Sequence, residues 1–171
     1  MLNNLLDLNP VSHVRRNHAL EHATLSILAK KNPKLSLVGN SDVRGFWVFG
    51  DVSTEELQQA VDEAAQRLKQ GEANLAIHPY CGTNFVTAGV VAGSAAWLGM
   101  IGSGGGGLRR KLDRLPIVVS LVTLGLMVAQ PLGPLMQARV TTDAAIGELK
   151  VYEITEFKRG EMLVHRVKTR N

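Results

Sequence analysis

The sequence predicts a mixed α+β protein: a small N-terminal α/β layer, a two-helix transmembrane hairpin and a short C-terminal β-hairpin. Three observations lead there. Helix start and stop signals bracket two amphipathic segments around a pair of short apolar runs. Two long stretches in the second half carry no charge. The tail from Glu148 alternates apolar and polar residues. The domains expected are 1–82, an α+β layer carrying a metal site; 83–137, the membrane hairpin with a basic, glycine-rich loop; and 138–171, a β-hairpin packing on the first domain.

Asn9-Pro10 opens the first helix, with Asn as the cap and Pro at the first helical position. Val11, Val14, Leu25 and Leu28 recur at helical spacing, and the helix should end near Lys30–Lys31 because Pro33 forbids continuation. Leu35–Val38 reads as a strand, Gly39-Asn40-Ser41-Asp42 as a turn, and Gly45–Val52 as a second strand. Ser53 and Glu56 form a capping box. The helix they open buries Leu57, Ala60, Val61, Ala64 and Leu68 and ends at Gly71. Ala73–Ile77 reads as a third strand that delivers His78.

From Phe85 to Ile101 the chain has no charged residue, and with its flanks it approaches the roughly 20 residues that cross a bilayer. Gly89-x-x-x-Gly93 offers a small-residue face to a partner helix. Ser103–Gly107 is a glycine linker. Leu115–Met136 is the second apolar run, where Pro131 and Pro134 should kink the far end. Arg109, Arg110, Lys111 and Arg114 between the runs favour a cytoplasmic loop over 102–114. Met1–Leu8 lacks the basic start and apolar core of a secretory signal. The net charge of +4 is accounted for by that loop and the tail. With no aromatic-rich basic strand and no zinc-finger spacing, nucleic acid is not an expected partner; membrane lipids, and a membrane protein on the Gly89–Gly93 face, are.

The middle of the first helix is the informative part. His18, Glu21 and His22 continue its apolar stripe with three titratable groups, which are costly to bury unless something satisfies them. His-x-x-Glu-His sets two imidazoles and a carboxylate on one face, a metal-holding spacing in which Glu21 would act as general base to a metal-activated water. The bland alternative is a hydrogen-bonded polar core. A catalytic zinc takes three protein ligands and an open position, a structural one four. The remaining ligands are sought in His78-Pro79-Tyr80-Cys81-Gly82-Thr83, where a tight turn lets His78 and Cys81 converge. Cys81 is the one cysteine, so no intramolecular disulfide forms. The metal expected is zinc, although a thiolate with imidazoles also suits copper. His13 and His165 fall outside the pattern and read as surface residues. Thr83 and Asn84 read as caps of the first membrane helix, and Arg15 and Arg16 as a solvated face or an anion contact.

Asn17-His18-Ala19-Leu20-Glu21-His22 followed by His78-Pro79-Tyr80-Cys81-Gly82-Thr83-Asn84-Phe85 resembles the paired motifs of the YqhQ-like membrane proteins, a bacterial family of predicted metal-dependent enzymes. Tyr80 stands where that family carries a basic residue. The resemblance implicates His18, Glu21, His22, His78 and Cys81 and supplies no reaction. Insulinase-like peptidases share His-x-x-Glu-His, but their further glutamate ligand would fall in the first apolar run, which has no acid. Two functions are carried forward: a zinc-dependent hydrolase at the membrane interface, and a non-enzymatic membrane assembly protein with a structural metal. Metal or redox sensing through Cys81 is a third.

Overall fold

A computed structural model describes residues 5–102, 107–160 and 162–170. The chain divides into two units, Met1–His78 with Ala138–Asn171, and Pro79–Gln137. The fold is mixed α+β, as the sequence predicts.

The first unit holds α1 (Val11–Lys31), β1 (Val38–Asp42), β2 (Gly45–Phe49) and α2 (Thr54–Lys69), then β3 (Lys150–Arg159) and β4 (Met162–Arg170). The strands form one antiparallel sheet in the order β1-β2-β4-β3. The C-terminal hairpin therefore completes the N-terminal sheet, with β4 against the free edge of β2. Phe46 faces Val167 and Val48 faces His165 across that pair, so one face of the sheet enters the core. Leu20, Leu57, Val61 and Ile146 close over it.

α2 follows the sequence closely. Ser53 and Glu56 make both bonds of the capping box, and Leu57, Ala60, Val61, Ala64 and Leu68 are the buried face. α1 departs from the amphipathic expectation. It is buried almost continuously from Ala19 to Leu28, whereas Val11 is exposed, because sheet, α2 and the 73–76 segment all pack on it. No side chain caps its first turn; the Asn9 carboxamide accepts from the Ser12 hydroxyl instead.

Two strand assignments change. Gly39–Asp42 is strand rather than turn, and the reversal sits at Val43-Arg44, closed by the Arg44 N–H on Asp42. Ala73–Ala76 is a 3-10 turn whose amides bond locally, leaving no ladder to pair. His165 is fully buried rather than on the surface, with Nε2 3.0 Å from the Thr54 hydroxyl.

The second unit is a helical hairpin of α3 (Gly82–Met100) and α5 (Leu115–Met136), with the short α4 (Leu108–Asp113) between them. Gly99 meets Val118, Gly125 meets Val91 and Ala95, and Gly133 meets Asn84. These glycines, not Gly89 and Gly93, make the close approaches; a Cβ at either of those two would meet nothing within 4 Å. Much of the hairpin's outer surface is apolar, with Phe85, Trp97 and Met127 exposed. Among the described residues one helical stretch, Leu115–Thr141, is long and apolar enough to cross a membrane. α3 falls short of the expected second span because Gly, Ala, Ser and Thr dilute its larger apolar residues. α5 runs through Pro131 and Pro134, and its irregularity comes afterwards as a π-helical turn at Gln137–Thr141. The expected linker at 103–106 lies outside the described residues, as does Met1–Asn4 of the segment read for a signal.

Candidate metal centre

α1 places His18 and His22 one turn apart, with ring centroids 4.2 Å from each other. The 3-10 turn then brings His78 beside them, its ring 5.6 Å from that of His22. Three imidazoles predicted as ligands therefore meet within the first unit.

Backbone carbonyls fix the tautomers of two of them. His22 Nδ1 lies 2.7 Å from the Ala76 carbonyl oxygen, and His18 Nδ1 lies 3.0 Å from that of Thr141. A carbonyl only accepts, so each Nδ1 carries the proton and donates it. A neutral ring in that state has its lone pair on Nε2. This arrangement orients and strengthens imidazole ligands in metal proteins. His22 is 2% exposed, so its satisfied Nδ1 also removes a desolvation penalty. Burial, and then the adjoining His22 ring, holds His78 below the ordinary histidine value, which keeps it neutral near pH 7 as a ligand must be.

Glu21 is also buried, on the side of α1 that meets β1. Its Oε2 accepts from the Ser41 hydroxyl, and its carboxylate lies directly over Gly39. Gly39 and Ser41 alternate onto the same face of β1, where small side chains leave room for an acid. Both were missed by sequence reasoning, because Gly-Asn-Ser-Asp also reads as turn chemistry. The carbonyls of Ala76 and Thr141 left no signal at all, since a backbone acceptor has no residue identity. Close by, Asn17 is fully buried and ties three elements together, donating to the Asp42 carbonyl at 2.8 Å and accepting from Thr169 at 2.7 Å.

Cys81 opens the second unit as the N-cap of α3, where the Thr83 N–H donates to Sγ at 3.4 Å. The cap is thus Cys81 rather than Thr83 or Asn84. Asn84 braces the hairpin instead, donating to the Pro79 carbonyl and accepting from Gln137 at 2.7 Å. Within the first unit, the imidazoles of His18 and His22 make a donor pair that could share a metal ion. His13 is half-buried, with Nε2 3.4 Å from the Thr169 hydroxyl, and takes no part in the cluster.

Residues 13–154, more than half of the chain, match the family model described as a domain of unknown function, DUF6391. An uncharacterized protein of Picosynechococcus sp. is 46% identical over 99 aligned residues, covering 50% of this chain and 48% of that protein. The chain thus spans about half the length of that relative. No solved structure matches it.

Proposed function

This chain belongs to the DUF6391 family, and we propose that it is a membrane-anchored metal protein. His18, His22 and His78 hold a transition-metal ion, zinc, with Cys81 as fourth ligand or immediate neighbour. The observation that carries this reading is the pair of Nδ1–H bonds to the carbonyls of Ala76 and Thr141, which aim two lone pairs from one helix face. Cys81 follows His78 by three residues, so connectivity keeps it within reach, and the YqhQ-like motif pair supports the same set. The helix Leu115–Thr141 supports the membrane anchor.

On the hydrolase reading, a bound zinc supplies a Lewis acid that makes water a nucleophile near neutral pH. Glu21 would be the general base, acting on a membrane protein segment or a lipid-like substrate. A second reading has its own support. The Glu21 carboxylate is engaged by Ser41 and seated on Gly39, as expected of a group that braces α1 against the sheet around a structural ion.

Elemental mass spectrometry of the full chain purified in detergent, beside His22→Ala and Glu21→Gln, tests the proposal. About one equivalent of zinc in the wild type and in Glu21→Gln, lost in His22→Ala, is the expected result. A folded wild type without metal, prepared without chelators, overturns it. Hydrolysis abolished by Glu21→Gln at unchanged metal content selects the enzyme; a stability loss in His22→Ala with no hydrolysis in any variant selects the structural ion.

A further inference from the structure

We infer that Arg15 and Arg139 form a pocket for the phosphate of an anionic phospholipid headgroup. A cavity of about 480 Å³ in the first unit is lined by Leu6, Asp7, Arg15 and Arg139. That volume is ordinary for a small-molecule site. The inference rests on the membrane reading of Leu115–Thr141 and is independent of the metal.

The two guanidiniums play different parts. Arg15 is fixed: Nη1 donates to the Leu6 carbonyl at 3.3 Å, and Nη2 to those of Thr142 at 3.1 Å and Arg139 at 3.5 Å. Its remaining partner is weak. Asp7 lies 3.8 Å from Nη1 with its side chain 74% exposed, a pairing that a better acceptor displaces at little cost. Arg139 is exposed and able to close over an incoming anion. One fixed and one exposed guanidinium, from Arg15 and Arg139, suit the several oxygens of a phosphate.

Location selects the lipid over a free phosphate. Arg139 lies two residues before the end of Leu115–Thr141, where a long basic side chain reaches the headgroup layer. Leu5 and Leu8, beside the cavity-lining Leu6 and Asp7, are each 57% exposed. These exposed apolar side chains suit the acyl boundary.

Native mass spectrometry of the full chain in neutral detergent tests the pocket. The titrants are phosphatidylglycerol, phosphatidylcholine of equal chain length, and inorganic phosphate. Phosphatidylglycerol should bind best. Arg139→Gln should weaken it about tenfold, the loss expected for one charge-assisted bond. Asp7→Asn should strengthen it severalfold by removing the competing acceptor. Arg109→Gln, in the loop between the helices, should change nothing. Equal binding of the two lipids, equal loss in Arg109→Gln, or weakening by Asp7→Asn overturns the proposal. Inorganic phosphate that competes at equal concentration overturns the lipid as the source. Membrane extraction is scored separately: a chain soluble without detergent refutes the membrane reading, whatever the pocket binds.

Discussion

Gly39→Ala should unseat Glu21. A Cβ built on Gly39 would stand 2.5 Å from Glu21 Cδ and 2.7 Å from Cγ, where ordinary contact begins near 3.4 Å. The carboxylate must therefore retreat by about 1 Å in a close-packed interior. β1 cannot give way, because Gly39 is paired with the fully buried Val48 of β2. Retreat strains the packing, at about 1–3 kcal/mol, and breaks the Ser41 bond to a charged acceptor, worth about 1.5–3 kcal/mol. The sum is about 2.5–6 kcal/mol, a large share of a typical domain's stability of about 5–15 kcal/mol. Gly39 is not at positive φ, so alanine costs nothing in backbone strain. In a Glu21→Ala background the overlap disappears, and the same substitution should cost less than about 1 kcal/mol. Urea denaturation of wild type, both single variants and the double variant in one detergent gives the coupling, expected at about 2 kcal/mol or more. If Gly39→Ala costs the same in both backgrounds, the seating of Glu21 on β1 is wrong.

Leu57→Ala, at a fully buried α2 position, should lower stability by about 2–5 kcal/mol in the same denaturation series while leaving metal content unchanged. Asp42 should contribute to acid sensitivity. Burial pushes its carboxyl up, but the Arg166 hydrogen bond at 2.7 Å, the Arg44 N–H and the Arg166 charge more than offset this and hold it below the ordinary value of 3.8. Its stabilisation is therefore full above that value and is lost as pH falls through the lower folded one. Asp42→Asn should flatten the fall in melting temperature below about pH 4; an unchanged slope would show that the Arg166 pair is not formed in solution.

The legible parts of the fold were those coded locally. α2 declared its cap, its buried face and its stop within nineteen positions, from Ser53 to Gly71. β1 did not, because Gly39 and Ser41 are small for a tertiary reason: they make room for Glu21. His165 was misread for a similar cause. Its partners, Val48 across the sheet and Thr54 at the start of α2, lie more than a hundred residues away. At the candidate site, the spacing of His18 and His22 was enough to place their rings side by side on α1, and the structure also brings the His78 ring close to that of His22. The histidines' hydrogen bonds could not be read, since Ala76 and Thr141 act through the backbone alone.

Those two carbonyls tie the imidazoles to the course of the chain. Ala76 lies in the segment through which the chain leaves the first unit, and Thr141 in the segment through which it returns. A helix ends with carbonyls that have no intrahelical partner and with a partial negative charge. At the end of Leu115–Thr141 these needs are met by side chains of α1: Arg15 donates to the carbonyls of Arg139 and Thr142, and His18 to that of Thr141. The donor that satisfies the helix end is the same proton that fixes the His18 tautomer. The π-helical turn ends at Thr141, the residue whose carbonyl accepts from His18. A change in where that helix stops would therefore reorient His18 before it touched any ligand atom.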